Sequence, residues 1–386
     1  MNILMVHPHD LFAKSEPWTI RIKSIAKEFS KRMNSVKLCY FPRIPQHEHY
    51  PQKINSVELV PIRRAATPIN YVLTTKKLIK LCQWADVLHL QKCHHYASMP
   101  AAMACYITGT PFHYDWDDWE EKIWYESVGK TFRSKFIGVS YKLLERTLPV
   151  LTDSTSCASN YLKKLAHAYG ARKEQIYDSP VGADIEKFRP GLDGDRVKKK
   201  YGINGDLVLY VGQLHGAQYV DLFIRAAGLV LNDFPDVTFM IVGEGFLEIP
   251  LKKLAQDLGL GNKVIFAGSI SHEEVPFYIA SASICVAAFQ DTKVTRCKSP
   301  LKIVEYLASG KPIVASNVGE VKNMVGKGGI LVEPGDPHAL AEGICKLIQD
   351  KGMREKLGRF ARQRAEDIYN WPKTASSLLK AYEAIL

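Results

Sequence analysis

LVLYVGQLHGAQYVDLFIRAAGLVLNDFPDVTFMIVG, residues 207–243, reads as a strand, a helix and a second strand. The two apolar runs, 207–213 and 237–243, are strand-length, and apolar residues recur every three to four positions over 219–232 between them. This order predicts two parallel strands joined by a helix that crosses over their sheet. Each run closes on a glycine, Gly212 and Gly243, where the chain must turn out of the strand. The alternation continues with strands over 264–269, 283–288, 312–317 and 329–334 and helices over 247–258, 273–280, 300–309 and 337–349. Upstream it runs through strands 2–8, 35–41, 57–62, 86–91, 111–116 and 150–159, with helices over 19–33, 68–82, 97–108 and 131–148. Each half is therefore expected to form a doubly wound parallel sheet, Rossmann-like in kind. The link falls near VGADIEKFRPG, 181–191, where glycine and proline cluster. In such sheets ligands sit beyond the carboxyl ends of the strands, which points to the loops following 2–8, 111–116, 207–213 and 237–243.

A chain of 386 residues is long for one core, and two domains are the expectation. No apolar run approaches the ~18 residues of a membrane span. MNILMVHPHD lacks the basic start and long apolar run of a secretory signal, so none is expected. Eight scattered cysteines without a C-x-x-C pair fit reduced thiols in a cytoplasm and argue against a cysteine metal site. Residues 1–100 hold 15 Lys/Arg against 6 Asp/Glu, nine of the chain's net +11. Within them the helix 19–33 carries Lys23, Lys27 and Lys31 at four-residue spacing, opposite an apolar face of Ile22, Ile25 and Phe29. A positive surface on this half is expected to meet anionic lipid or an acidic acceptor. Nucleic acid is not expected, because no aromatic-interleaved basic motif is present.

SPLKIVEYLASGKPIVAS, 299–316, carries the most specific chemistry. A Ser-Pro start opens a helix whose first backbone N–H groups can hold an anion, and Lys302 lies in that first turn. Glu305 follows three residues later on the same face, placed to accept hydrogen bonds from a ribose diol. An anion cradle beside a diol acceptor reads as a nucleotide-diphosphate site.

With these motifs in place, the chain resembles the group 1 retaining glycosyltransferases of the GT-B fold, glycosyltransferase family four. PDVTFMIVGEG (235–245), NKVIFAGSISHEEVPFYIASASICVAAF (262–289), LKIVEYLASGKPIVAS (301–316) and SPVGADIEKFRPG (179–191) are each similar to segments of that family. The resemblance implies two Rossmann-like domains facing a cleft. An acceptor domain would cover 1–185 and a donor domain 186–365, and a C-terminal helix, 366–386, would cross back to the first. It assigns Glu305 to the donor ribose. Lys298, Ser299 and Leu301 fall in the loop facing the diphosphate, and Gly212, Gly243 and Gly245 lie on the nucleotide side. Arg21 matches an arginine on the acceptor side, although the family's two preceding glycines are replaced by Glu16 or Pro17 and by Trp18. The implied reaction is metal-independent, requires no cofactor and retains anomeric configuration.

Three departures matter. The family's glutamate eight residues before Glu305 is Cys297 here, so the usual contact to the transferred sugar is absent. Two cations expected near the diphosphate are Gln213 and Gln218; Lys293, Arg296, Lys298 and Lys302 are close enough in sequence to replace them. Asp117 stands where many members have a histidine, as an anion near the anomeric carbon, as a partner of the acceptor hydroxyl, or as one of the aspartates 115–118 capping the next helix. The S-P-L-K-x-x-E-Y variant resembles that of a sub-branch of the family. The expected function is transfer of a sugar from a nucleotide diphosphate to a glycan or lipid-linked acceptor, in the cytoplasm and peripherally at the inner face of the membrane. A non-catalytic binding subunit and a nucleotide-sugar epimerase of the same fold stay open.

Overall fold

The alternation folds into two units, Met1–Val181 with Trp371–Leu386, and Gly182–Asn370. The sequence reading places these divisions at 185/186 and 365/366. The computed structural model describes residues 1–13, 17–44, 46–47, 52–127 and 131–386; Glu16 and part of the loop around it lie outside them.

The first unit contains β1 (Asn2–His7), α1 (Ile20–Lys31), β2 (Ser35–Tyr40), β3 (Lys53–Ile54), β4 (Val57–Pro61), α2 (Pro68–Cys82), β5 (Val87–Gln91), α3 (His95–Thr108), β6 (Phe112–Trp116), α4 (Glu120–Ser127), α5 (Phe132–Leu151), β7 (Ser154–Cys157), α6 (Asn160–Ala168) and β8 (Ile176–Asp178). The sheet order is β3-β4-β2-β1-β5-β6-β7-β8, parallel except for the short β3–β4 pair. The second unit contains α7 (Asp195–Tyr201), β9 (Leu207–Val211), α8 (Val220–Asp233), β10 (Thr238–Val242), α9 (Glu248–Asp257), β11 (Val264–Gly268), α10 (Val275–Ser281), β12 (Ile284–Ala287), α11 (Lys293–Cys297), α12 (Leu301–Ala308), β13 (Ile313–Ser316), α13 (Val321–Val325), β14 (Gly329–Val332), α14 (Pro337–Gln349) and α15 (Lys351–Asp367). Its sheet, β11-β10-β9-β12-β13-β14, is parallel throughout. Val208, Phe223, Phe239, Ile241 and Val314 are fully buried between that sheet and its helices.

Helix α16 (Trp371–Glu383) returns to the first unit and packs on α1, β7 and β8. The crossover rule sorts the helices of that unit. The connections β4→β5, β5→β6 and β6→β7 all step the same way along the sheet, so right-handed crossovers put α2, α3 and α5 on one face. The β1→β2 step runs the other way and puts α1 on the opposite face, beside α16.

The strand expected over 150–159 is shorter than its sequence suggests. α5 runs on to Leu151, and β7 holds only Ser154–Cys157. Its buried hydroxyls are tolerated because neighbours bond them: His113 reaches Ser154 Oγ at 2.7 Å and Ser156 Oγ at 2.9 Å, and Ser156 donates to Asp115 at 2.6 Å. Arg21, at the start of α1, closes this network, with Nε and Nη2 donating to the two Asp115 oxygens at 2.8 and 2.9 Å. His89 meets the Tyr382 hydroxyl of α16 at 2.7 Å. Among the described residues, no helix is long and apolar enough to cross a membrane.

Burial pushes the His89 imidazole down to about 4, with Asp115 opposing and Arg21 assisting. Burial, then His89, holds His113 well below the ordinary imidazole value. In the unfolded chain both titrate near ~6.5. The folded unit therefore binds fewer protons, and its stability falls as pH drops from about 6.5 toward 4. Denaturant melts at about pH 7 and about pH 5 are expected to show a lower midpoint in acid, with a smaller drop in His89→Gln. Equal midpoints at the two pH values would remove this network from the stability of the fold.

Candidate functional site

The exits of β9 and β10 lie against one another so closely that side chains are excluded. A Cβ on Gly243 would sit 1.9 Å from the Gly212 carbonyl oxygen, and one on Gly245 would sit 2.2 Å from the Leu214 carbonyl oxygen. Both Gly212 and Gly243 have positive φ, +152° and +143°. Backbone bonds lock the two loops: Gly212 N–H to Val242 O at 2.9 Å, Leu214 N–H to Glu244 O at 2.9 Å and Leu247 N–H to Leu214 O at 3.1 Å.

Into the space left by Gly212 comes the ammonium of Lys302, which a Cβ there would approach to 2.6 Å. Lys302 is buried on α12; its Nζ lies 3.8 Å above the Tyr210 ring centroid and donates to Gln218 Oε1 at 3.1 Å. Burial, then Lys298, pushes this ammonium well below the ordinary lysine value, and Glu305 only partly offsets them. The same two lysines, after burial, hold His215 down at about 4. Lys302, Lys298 and His215 thus share a positive field beside the start of α12. Pro300 precedes that helix in extended conformation, and no described side chain caps its first turn. Such an end accepts an anion. Gln218 takes a hydrogen bond from Tyr210 as well as from Lys302, so the residue standing where a cation is missing orients Lys302 instead.

Glu305, one turn along α12, is held by a relay that sequence spacing did not reveal. His272 Nε2 lies 2.8 Å from Glu305 Oε1, and Lys187 Nζ lies 3.0 Å from His272 Nδ1. A lysine ammonium has only donors, so Nδ1 must accept and Nε2–H must donate to the carboxylate. The tautomer follows from the partners. Among the described residues, none bonds Glu305 Oε2. Arg362 fixes the segment that carries Lys187, donating to Ile185 O, Phe188 O and the α12 carbonyl Ala308 O at 3.1, 3.0 and 2.7 Å.

The other expected donor residues are placed less centrally. Arg296 is half exposed and paired with Asp291, Nε to Oδ1 at 2.5 Å and Nη2 to Oδ2 at 2.7 Å, which spends the charge expected to replace a missing cation. Cys297 is buried at the end of α11, its thiol 3.0 Å from the Lys293 carbonyl. Ser299 Oγ lies 3.7 Å from Met324 Sδ, and Leu301 begins α12 half-buried. Gln213 is half-buried at the β9 exit.

In the first unit, the carboxyl ends of β1, β5 and β6 bring His9, Lys92, His94 and the 115–121 acidic run together. Arg21, expected on the acceptor side, is buried in the Asp115 ion pair and donates further to Ser179 O at 2.8 Å, contacts that brace β6. Asp117 does not cap α4. Glu145 caps it, taking Glu120 N–H at 2.6 Å and Glu121 N–H at 3.2 Å. Asp117 instead accepts from Gln91 Nε2 at 2.7 Å and faces Lys92 Nζ at 3.3 Å. Lys92 also pairs with Asp118 at 3.3 Å and Glu120 at 2.6 Å. Burial alone would lower the Lys92 ammonium, but Asp117, Glu120 and Asp118 outweigh it and hold it well above the ordinary value. Asp117 is raised by burial, against the pull of Lys92. The oxygens of Asp117, Asp118 and Glu120 lie close enough together for a divalent ion, and Lys92 is already a cation in their midst.

Residues 193–364 match the family described as glycosyl transferases group 1. D-inositol 3-phosphate glycosyltransferases of Corynebacterium urealyticum and Acidothermus cellulolyticus are 29% and 33% identical over 232 and 238 residues, 56% and 58% of this chain. The chain spans about half the length of these relatives, 53% and 51%. Among solved structures, Anabaena Alr3699/HepE in complex with UDP and glucose has a TM-score of 0.76 at 19% identity, with both chains fully covered. A glycosyltransferase from Rickettsia africae has a TM-score of 0.76 at 17% identity, covering all of this chain and 98% of that one. The fold is therefore that of the GT-B glycosyltransferases.

The glycine geometry has a direct consequence. Gly243→Ala forces the β9 and β10 exits apart and is expected to cost several kcal/mol, whereas Gly259→Ala, at φ +67° with nothing within 4 Å of its Cβ, is expected to cost only ~1–2 kcal/mol. Thermal melts of the two variants decide it. Equal losses would mean that the loops do not need their contact.

Proposed function

We propose that the protein transfers a sugar from a nucleotide diphosphate donor to a glycan or lipid-linked acceptor, with retention of configuration and without a metal ion. The observation that carries this reading is the pairing on α12 of a buried, desolvated Lys302 ammonium beside an uncapped helix start with a Glu305 carboxylate one turn further on. The relatives named as glycosyltransferases and the family match over the second unit support it.

In this reading the diphosphate takes the place in the positive field of Lys302, Lys298 and the α12 start, which stabilises the charge that develops on it as the glycosidic bond breaks. Glu305 accepts hydrogen bonds from the ribose hydroxyls, with Oε1 committed to His272 and Oε2 left for the ligand. Asp117, held by Gln91 and Lys92, accepts the hydrogen bond of the incoming acceptor hydroxyl and takes its proton as that oxygen forms the new glycosidic bond. Lys92 supplies among the carboxylates of the 117–120 cluster the positive charge that a metal would otherwise bring. The reaction belongs on the cytoplasmic side, where nucleotide sugars are made.

Calorimetric titration with a panel of nucleoside diphosphates and their sugars tests the donor site. One donor is expected to bind, and Glu305→Ala to weaken it roughly ten- to hundredfold, the loss of a charge-assisted contact. His272→Ala is expected to weaken it less, and the double variant no more than Glu305→Ala, because His272 acts through Glu305. If no nucleoside diphosphate binds at millimolar levels, the reading fails. Incubation with donor alone, followed by product analysis, separates transfer from epimerisation.

Lys92→Met leaves three clustered carboxylates without their cation. Millimolar divalent metal is expected to raise the melting temperature of this variant and not that of the parent. A parent enzyme whose turnover disappears on chelation and returns with metal would overturn the assignment to Lys92.

A further inference from the structure

The helices on one face of the first sheet carry a surface that the donor chemistry does not use. α2, α3 and α5 pack side by side, and their outer faces expose large apolar side chains. Ile69 and Leu73 stand out from α2, Met103 and Tyr106 from α3, and Phe136 and Leu143 from α5; Ile69, Tyr106 and Phe136 are 72%, 87% and 73% exposed. A monomer in water has no use for an apolar patch of this breadth. Charge is equally one-sided. Lys76, Lys80, Lys135 and Lys142 are exposed on α2 and α5. The three helices hold a single acidic residue, Glu145, which is buried and spent on capping α4.

We propose that this face docks the protein on an anionic lipid bilayer, the apolar side chains entering the headgroup–acyl boundary and the lysines reaching phosphate around them. Long lysine stems lie along apolar surface while their ammonium groups stay with the headgroups, so the two residue types work together at such a boundary. A second copy of the chain is the poorer occupant. A two-fold interface apposes a patch to itself, and here it would bring lysines against lysines with no exposed carboxylate on these three helices to pair them. The docking face is not the lysine ladder of α1 expected from the sequence. α1 lies on the opposite side of the sheet beneath α16, with Lys31 paired to Glu28 at 2.7 Å and Lys23 bonded to Leu11 O at 3.2 Å. Helices α3 and α5 also begin beside the carboxyl ends of β5 and β6, so docking holds the Lys92–Asp117 edge near the lipid surface, where a lipid-linked acceptor presents its head.

Vesicle co-sedimentation without any nucleotide sugar tests the surface separately from the transferase reading. The full chain is expected to sediment with phosphatidylglycerol vesicles, to stay in solution with phosphatidylcholine, and to be released by high salt. Tyr106→Asn with Phe136→Gln is expected to abolish sedimentation. Lys76→Gln and Lys80→Gln are each expected to weaken it roughly fivefold. All variants should keep the parent's melting temperature and its calorimetric affinity for the donor. Failure of the parent to bind anionic vesicles, unchanged binding by the apolar variant, or a parent dimer that this variant dissociates would overturn the proposal. The last result would give the face to a second copy, and capture of an acidic protein by it with no vesicle binding would give it to a protein partner.

Discussion

The contact between the exits of β9 and β10 is the constraint on which the Lys302–Glu305 site is built. With Gly243 pressed against the Gly212 carbonyl, neither position tolerates a Cβ, and the backbone bonds across the contact hold both loops in one arrangement. The room left at Gly212 is what lets Lys302 lie buried against Tyr210 and Gln218. A lysine placed this way costs desolvation, and its ammonium is correspondingly easier to deprotonate until an anion arrives. A phosphate would therefore meet a charge already stripped of water and fixed in direction, where Coulomb attraction is strongest.

The first unit solves the opposite problem. Its strands β5, β6 and β7 carry His89, His113, Asp115 and several hydroxyls into a fully buried layer, and each finds partners in a network completed by Arg21 and Tyr382. Removing one member would strand the others, which is why a buried polar layer of this kind specifies a single arrangement. α1 and α16 close this network from one face, and the crossovers leave α2, α3 and α5 to cover the other. The apolar patch on those helices is thus a consequence of topology as much as of composition.

Much of the fold was legible because parallel doubly wound sheets write themselves as apolar runs alternating with 3.6-period stretches. The segment 207–243 and the helix at 301–308 came out as expected, since strands buried on both faces need continuous apolar residues. β7 was misjudged at its start because the apolar Val150 and Leu151, which read as strand, end α5 instead. α15 was missed because it carries few apolar residues, packing through small ones such as Gly358 and Ala361 against α12. At the site, Glu305 and Lys302 could be named from their own helix. His272, Lys187 and Lys92 could not: each lies tens of residues from the groups it serves.

The amino-acid sequence by itself determined the element order, the two parallel sheets, the glycines at the strand exits and the residue types on α12. These depend on local periodicity and on the backbone freedom of single residues, which neighbours along the chain reveal. The tertiary structure alone decided which charges meet. It paired Arg21 with Asp115, spent Arg296 on Asp291, centred Lys92 among three carboxylates and gave Glu305 its histidine. It also gathered exposed apolar side chains and lysines on the face of α2, α3 and α5, away from α1. Ion pairs and exposed patches depend on distances through space, and sequence separation carries almost no information about those.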